Sequence, residues 1–192
     1  MLAGSQEGLA PLSGRCCPYL IFLPTHSTEA SFFDYKKQLI HDLLASEQIV
    51  SLLSDDEQPI ADPEELFLTR LYPFEYVPEV VTQGQTFICC DVDIQSTVNK
   101  TFLTPNLYIW VFTHKTKIML PDGSVRTDRL CSEIAKVLNG SRYYGLGELE
   151  LYSVRRFTPI QDYLGKVITF QTKDFNRLSP SAKPVPSNRK NR

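Results

Sequence analysis

Two stretches of the chain repeat apolar residues at steps of three and four, which is the period of an amphipathic helix. The first runs from Ser31 to Leu53, and Ser46 is expected to divide it into two pieces. The second is RTDRLCSEIAKVLNG, residues 126–140. The turn sequence PDGS comes before it, Ser124 or Thr127 can cap its first turn, and its final Asn-Gly pair is typical of a helix end.

Alternation of apolar and polar residues predicts strands between these helical stretches. The outward face of QTFICCDVDIQ carries Asp91 and Asp93, and its buried face consists of Ile88, Cys90, Val92 and Ile94. The next segment, TPNLYIWVFTHK, is apolar on both sides, and one side carries the aromatic residues Tyr108, Trp110 and Phe112. Such a strand either lies in a sheet covered on both faces, or exposes an aromatic face to a partner.

Two further strands, LELYSVRRF and KVITFQTKDF, follow the second helix. The sequence TPIQDYLG between them is long for a hairpin turn. The order along the chain is therefore helix, strand, strand, helix, strand, strand. This order predicts an α+β fold with a single mostly antiparallel sheet, on which an N-terminal helix and a second helix pack.

Composition divides the 192 residues into three parts. Residues 1–30, with Gly, Pro and Ser around one short apolar run, are expected to form an extended arm. Residues 31–177 form the α+β domain, and residues 178–192, rich in Pro, Ser and basic side chains, are expected to be a flexible tail. The run from Tyr19 to Pro24 is far shorter than the roughly 20 residues of a membrane span and lacks signal-peptide flanks, so an intracellular protein is expected.

With 42% hydrophobic residues and a formal net charge of −2, the composition is that of an ordinary soluble protein. The charges are unevenly placed, however. Residues 29–65 contain ten acidic residues, Asp55 and Asp56 among them, against two lysines. Near the other end one acidic residue accompanies six basic ones, Lys173, Arg177, Lys183, Arg189, Lys190 and Arg192. The asymmetry indicates either two solvated faces or electrostatic docking to a partner or to another copy.

The residue types that carry most enzyme chemistry are few and scattered. His41 is expected on the solvent side of a helix, His114 at a strand end and His26 in the arm. The cysteines are expected to be reduced, because adjacent cysteines point to opposite sides of a strand and suit neither a shared disulfide nor a shared metal. They are Cys16, Cys17, Cys89, Cys90 and Cys131. The sequence therefore predicts no cofactor.

The second helix combines charged residues with a cysteine. Arg126 and Asp128 are expected to act as first-turn charges, and Asp128 would lie favourably near the positive end of the helix. Arg129 can pair with Glu133, which follows it by four residues. Cys131 belongs to the apolar stripe, so it is expected to fill the core and not to act as a nucleophile.

Asp91 and Asp93 are the candidates for a metal site, because two carboxylates on one strand face lie about 7 Å apart. They would suit a divalent ion, but no third acid or lysine stands at a recognisable spacing. A structural or interface role is therefore preferred, and no metal is predicted. The segment YYGLG lacks the lysine of a phosphate-binding loop and predicts a turn.

Six segments, in their order along the chain, resemble the tail terminators, and more widely the small neck and tail-completion proteins, of long-tailed bacteriophages. They are RLYPFEYVPE, FICCDVDI, NKTF with NLYIWVFTHK, the RTDRLCSEIAKVLNG helix, GLGELELYSV and VITFQTKDFNR. The resemblance covers Ser31 to Arg177 and leaves out the arm and the tail. It implies a non-enzymatic α+β subunit that forms a ring, usually of six copies, in the tail or neck of a virion assembled in the host cytoplasm.

The ring that this resemblance implies would cap the tail tube protein on one side and meet the head–tail connector or a neck protein on the other. DNA would pass through its lumen only as cargo, and no membrane would be involved. The acidic region with Asp55 and Asp56 would suit a head-to-tail contact with the basic tail of the next subunit. The aromatic side of Tyr108, Trp110 and Phe112 would pack against the neighbouring subunit.

Three other interpretations stay open at the level of the sequence. A head-completion or neck adaptor would bind the portal instead of the tail tube. A small Mg²⁺-dependent DNA-processing enzyme would depend on Asp91 and Asp93. A monomeric binding module would remain a 21.9 kDa species at all concentrations.

Overall fold

The computed structural model describes residues 32–54, 62–76, 84–97 and 101–176. The helices are α1 (Phe32–Leu44), α2 (Glu47–Leu53) and α3 (Arg126–Leu138), with short 3₁₀ helices at Pro63–Leu66 and Lys115–Lys117. The strands are β1 (Leu71–Tyr72), β2 (Thr86–Thr97), β3 (Phe102–His114), β4 (Glu150–Phe157), β5 (Tyr163–Gln171) and β6 (Asp174–Phe175). The predicted arm, most of the acidic loop after α2 and the basic tail lie outside the described residues, so the predictions for them stay predictions.

The strands form one sheet in the order β1-β2-β3-β5-β4, and β6 pairs with the beginning of β3. β1 runs parallel to β2, and every other pairing between the described strands is antiparallel. β3 lies in the centre, where Trp110 is paired with Cys89 on β2 and with Val167 on β5. The predicted α+β fold with a single mostly antiparallel sheet is confirmed. The division of the first helical stretch into two helices at Ser46 is confirmed as well.

The three helices pack on one face of the sheet, which we call the helix face. The sheet residues buried against them include Ile88, Cys90, Leu107, Ile109, Val111, Ile168 and Phe170. The helices contribute Leu39, Leu43, Ile49, Leu53, Leu130, Ile134 and Leu138 to the same cluster. Burying one such aliphatic side chain stabilises a fold by about 1.5–3 kcal/mol, so this cluster supplies most of the driving force for folding.

Two buried tyrosines tie the N-terminal helix α1 to the far end of the sheet. The hydroxyl of Tyr35 donates to the buried carboxylate of Asp174 on β6. The hydroxyl of Tyr144 donates to Asp42 at 2.7 Å. Burial, reinforced by the charge of Asp42, raises the pKa of Tyr144. Tyr144 therefore stays a neutral donor, and both hydroxyls satisfy carboxylates that are otherwise costly to bury.

The opposite side of the sheet, which we call the open face, carries no helix within the described part of the chain. One end of it holds a second buried cluster, formed by Phe87, Cys89, Phe112 and Tyr163. Gly165 permits the close approach of β5 to β3 beneath this cluster. A Cβ atom at Gly165 would lie 2.2 Å from the carbonyl oxygen of Val111 and 2.6 Å from Cβ of Phe112.

The beginning of α3 differs from its prediction. The residue before the helix is Val125, and no side chain caps it. The hydroxyl of Ser124 instead donates to Asp122 in the preceding turn, with 2.6 Å between Oγ and Oδ1. Thr127 is buried in the first turn. The predicted cap at Ser124 or Thr127 is therefore wrong, whereas the predicted end is confirmed, with Gly140 in the left-handed region at φ +83°.

Arg126 is an internal residue and not the surface charge expected from the sequence. Its side chain is 1% exposed. Nε donates to the carbonyl of Lys117 at 2.9 Å, and Nη1 donates to the carbonyl of Leu52 at 3.0 Å. Carbonyl groups in the last turn of a helix lack a partner within the helix, so the guanidinium satisfies groups that α2 itself cannot. Arg126 thereby joins α3 to α2 and to the second 3₁₀ helix.

Candidate assembly surface

The aromatic residues that the sequence singles out on β3 lie on the open face at two different depths. Tyr108 and Trp110 are half-buried and stack on each other with ring centroids 5.8 Å apart. Phe112 is 1% exposed and packs against Phe87 at 5.5 Å and Tyr163 at 5.8 Å. Tyr108 and Trp110 are thus accessible to a partner, and Phe112 supports that surface from below. Their predicted role as an interface stays a prediction.

The end of β1 and the residues that follow it fold over the same end of the open face. Tyr72 and Tyr76 stack with ring centroids 4.1 Å apart, and Tyr76 also contacts Phe87 at 5.9 Å. Desolvation, with the neighbouring Tyr76 as a second cause, raises the pKa of Tyr72. The sequence segment RLYPFEYVPE contained these rings, but no strand period marked them as part of the sheet's second core.

β4 forms one outer edge of the sheet, and we call residues Glu150–Phe157 the β4 edge. Its only strand partner among the described residues is β5. Three of its apolar side chains are unusually accessible, Leu151 at 41%, Tyr152 at 58% and Val154 at 45% exposure. Arg155 and Arg156 are also exposed. Unpaired strand edges with apolar side chains are natural sites of pairing with another chain.

β2 forms the opposite outer edge beyond its short pairing with β1. β1 pairs only with Ile88 and Cys89, so the following residues 90–94, which we call the β2 edge, have no second strand partner within the described part of the chain. Asp93 is exposed, and its carboxylate accepts from the backbone N–H of Ile94 at 2.6 Å. Asp91 accepts from Nζ of Lys36 at 2.5 Å and keeps 41% of its side chain exposed.

The Asp91 and Asp93 pair therefore lies on a strand edge, with a lysine already bound to one carboxylate. Among the described residues, no group of three or more His, Cys, Asp and Glu side chains could hold a metal ion. An ammonium group at 2.5 Å from Asp91 occupies the position that a cation would need. The geometry here favours charge pairing over metal binding.

Each of the two described histidines contacts residues next to it in the chain. His41 is exposed and lies 3.3 Å from the carboxylate of Asp42, which confirms its predicted solvent position. Nδ1 of His114 lies 2.7 Å from Oγ1 of Thr116 and accepts from the backbone N–H of the same residue at the start of the second 3₁₀ helix. The imidazole of His114 therefore caps the second 3₁₀ helix. The same ring packs edge-on against Tyr163, with ring centroids 5.3 Å apart.

The three described cysteines, Cys89, Cys90 and Cys131, are free, as predicted, and all three are buried. The burial of Cys89 was not predicted, because the strand pattern placed it on the face of Asp91 and Asp93, and the second aromatic cluster covers it there. Burial raises the pKa of the Cys89 and Cys131 thiols to about 11 and raises the pKa of Cys90 as well. Neutral thiols of this kind are poor nucleophiles. The expected core position of Cys131 in α3 is confirmed.

The remaining side chains predicted at an interface lie outside the described residues. They are the acidic Asp55 and Asp56 and the basic Arg177, Lys183, Arg189, Lys190 and Arg192. His26, Cys16 and Cys17 also lie outside them. Their proposed roles therefore rest on the sequence alone.

A family model described as YomW matches residues 46–172. The chain belongs to the YomW family. This family is phage-related. The matched span begins between α1 and α2 and ends just after β5, so it contains the open face, the β2 edge and the β4 edge.

One solved structure with a similar chain carries the description "Virion of native gene transfer agent (GTA) particle". The two chains are 18% identical, the match covers 71% of this chain and 91% of the other, and the TM-score is 0.44. A likeness of this degree assigns no role to this YomW family member. No curated protein matches its sequence. None of the helices in the described ranges is both long and apolar enough to cross a membrane.

Proposed function

We propose that this protein is a structural component of a phage-type virion, and more narrowly a ring-forming tail terminator. Copies of the chain, six in the closed ring, cap the tail tube and join it to the head connector, and DNA passes through the lumen. Membership of the phage-related YomW family supports the broad assignment. The element order that resembles tail terminators supports the narrow one, because it agrees with the α+β fold.

The observation that carries this proposal is the pair of exposed strand edges on opposite sides of one sheet. The β4 edge presents apolar side chains at 41–58% exposure. Proteins that act alone protect such edges with charges, prolines or covering loops, because an exposed apolar edge leads to association. A subunit of a closed ring has these edges covered by its two neighbours.

The first test is the assembly state of the purified full chain. Light scattering coupled to size exclusion should give about six times the 21.9 kDa mass of the chain, and negative-stain images should contain rings with a central hole. A 21.9 kDa species at every concentration would contradict the proposal. It would favour a monomeric binding module.

The second test concerns the position of the ring in the particle. Gold-labelled antibodies against the chain should mark the head-proximal end of isolated tails. Label on tailless heads and not on isolated tails would replace the terminator with a portal-binding neck adaptor. Mg²⁺-dependent cleavage of plasmid DNA that disappears in the Asp91→Ala, Asp93→Ala double variant would identify a nuclease and overturn the structural role.

The acidic segment and the basic tail are assigned to contacts between neighbouring subunits in the same proposal. The acidic segment with Asp55 and Asp56 would meet the basic tail from Arg177 to Arg192 of the next copy. Support for this assignment comes from their opposite charge in the sequence. Tyr108 and Trp110 form the second proposed contact, on the open face.

A further inference from the structure

We infer that the β4 edge of one copy pairs with the β2 edge of the next copy, so that one sheet continues from subunit to subunit. This inference rests on the proposed ring and names the surfaces that build it. The two edges lie on opposite sides of the sheet, and each lacks an outer strand partner among the described residues, beyond the β1 pairing at Ile88 and Cys89. A contact between two different edges is head-to-tail, which is the type that closes into a ring.

Strand direction is compatible with this pairing. Three successive antiparallel pairings connect β2 to β3, β3 to β5 and β5 to β4. β2 and β4 of one subunit therefore run in opposite directions. A rotation about a ring axis preserves the direction of each strand along that axis, so β4 of one copy meets β2 of its neighbour antiparallel, the commoner pairing.

Charges of opposite sign lie on the open face of the two edges, at Arg155 on β4 and at Asp91 and Asp93 on β2, while Glu150 at the start of β4 shares this face. Through the register of the sheet, Arg155 shares a row with Val167, Trp110 and Cys89 on the open face. Asp91 and Asp93 continue that face on β2 by alternation. In a continuous sheet, side chains on one face of adjacent strands lie about 4.5–5.5 Å apart when directly opposed. Arg155 of one copy would thus reach the carboxylates of the next.

On the helix face both edges carry apolar side chains, and the β4 edge also carries Arg156, which is paired with Lys166. Leu151 and Val154 are paired with Phe170 and Ile168 of the main core, and both are more than 40% exposed in the single subunit. On β2, Val92 and Ile94 point to this face and are half-buried. Pairing of the two edges would therefore bury apolar residues on one side of the sheet while it joins opposite charges on the other.

The charges on the β4 edge are available for such a contact. Within the described residues, no ion pair or hydrogen bond involves the side chains of Arg155 and Arg156, whereas other exposed basic residues such as Lys136 and Arg142 bind carboxylates of their own subunit. On the β2 edge, Asp93 binds only the adjacent backbone N–H in that part of the chain. A second copy supplies the missing counter-charge to Arg155 and to Asp93, which share the open face.

The decisive experiment exchanges the charges across the contact in the full chain. Arg155→Glu and Asp93→Lys should each weaken assembly at least about tenfold in sedimentation velocity, because like charges then oppose each other. The double variant Arg155→Glu, Asp93→Lys restores an opposite pair at every contact and should recover assembly to within about threefold of the natural chain. Lys136→Glu, an exposed change of the same sign on α3, should leave assembly unchanged.

Amide hydrogen exchange provides the second readout. The N–H groups of Glu150–Phe157 that point away from β5 should exchange more slowly in the ring than in the Arg155→Glu variant diluted to its monomeric state, since edge pairing adds backbone hydrogen bonds to these groups alone. Equal exchange in the two states would overturn the inference. Slow exchange already in the monomer would also overturn it, because another segment, such as Tyr19–Pro24 of the arm, would then occupy the edge.

The outcomes separate this inference from the proposed ring itself. If the natural chain forms rings and both single variants form them equally well, the edge pairing is wrong and the ring stands. If the single variants weaken assembly and the double variant fails to recover it, the opposed pair of Arg155 and Asp93 is wrong. If the natural chain stays monomeric, the ring fails and the pairing fails with it. Circular dichroism and melting curves establish that each variant is folded.

Discussion

Several polar residues of this chain have their properties set by burial more than by their neighbours in sequence. Arg126 is enclosed and donates to two backbone carbonyls. Cys89 and Cys131 are enclosed thiols whose pKa rises to about 11. In both cases the sequence showed the residue type and its element, whereas the side-chain environment depends on packing with distant segments such as α2.

Replacing Arg126 with Ala should destabilise the chain more than an ordinary surface change. Two hydrogen bonds from a charged donor disappear and two partly buried carbonyl groups lose their partner, which costs at least about 2 kcal/mol in the free energy of unfolding. The matched control is Arg129→Ala on the same helix, where an exposed arginine lies 3.7 Å from Glu133. It should change stability by about 0.5 kcal/mol or less. Urea unfolding of both variants measures the difference, and equal midpoints would contradict the internal role of Arg126.

The buried thiols should react slowly at pH 8 and faster as the pH rises towards 11. The pKa of Cys131 is about 11 in the folded chain, against about 8.5 for a free cysteine, so its thiolate fraction at pH 8 is more than a hundredfold lower. Because the folded pKa is raised, the stability linked to this thiol is complete below about pH 8.5 and is lost as the pH rises towards 11. Mass spectrometry after iodoacetamide treatment, with urea-unfolded chain as control, measures the labelling at each site. Equal rates for folded and unfolded chain at pH 8 would contradict the prediction.

Among the elements, β5 shows what a periodic pattern can and cannot predict. Its alternating residues from Lys166 onward indicated a strand, but the structure begins the strand at Tyr163. Gly165 and the preceding Pro and Asp residues were interpreted as a long turn. The loop between β4 and β5 is in fact residues 158–162, because the glycine is needed inside the strand, beneath Phe112, where any side chain would strike β3.

A methyl group at position 165 should therefore disturb the centre of the sheet. In Gly165→Ala the new Cβ would lie 2.2 Å from the carbonyl oxygen of Val111, which is backbone and cannot rotate away. Overpacking of this kind costs about 1–3 kcal/mol or more. Leu164→Ala, at the adjacent and 46% exposed position, serves as the control and should cost less. A thermal melt of Gly165→Ala that equals that of the natural chain would show that β5 can shift away from β3.

The helices and the four long strands were predictable because each is long enough to show a period, and each predicted element is present. β1 and β6 were not predictable, because each has only two residues and exists through pairing with a distant strand. The candidate assembly surface was likewise predictable where it depends on strand period and not predictable where it depends on packing. The sequence placed Tyr108, Trp110 and Phe112 on one side of a strand, but only packing shows that Phe112 is covered. It also showed Arg155 and Arg156 without showing that their strand is an outer edge.

At the scale of the whole molecule, the described part of the chain covers its sheet unevenly, which limits where a partner could contact it. Helices cover one face, an aromatic cluster covers one end of the other, and the two outer strands face sideways. Partners can therefore meet the subunit at its edges or on its open face, and the helix face stays inside the subunit. In the proposed ring, the acidic segment and the basic tail would add long-range attraction between copies, and this attraction would depend strongly on salt.

Ring stability should decrease as salt increases, and the basic tail should account for part of that decrease. Between about 0.1 M and about 1 M salt the Debye length falls from about 10 Å to about 3 Å, which screens contacts between acidic and basic segments. A chain lacking residues 183–192 should assemble more weakly at low salt and should lose less on the addition of salt. Native mass spectrometry at low salt and sedimentation across the salt series measure both effects. Identical salt dependence for the two chains would exclude the tail from the contact.

Trp110 is the chain's single tryptophan, and its position gives the protein a built-in optical reporter. It lies on the open face of the central strand, and a neighbour that joins either outer edge remains separated from it by a full strand. Emission from this indole should shift to shorter wavelength when a partner covers the open face. It should stay constant when copies join through the two edges alone. Fluorescence of the unlabelled chain can therefore tell whether the open face takes part in a contact or only the edges do.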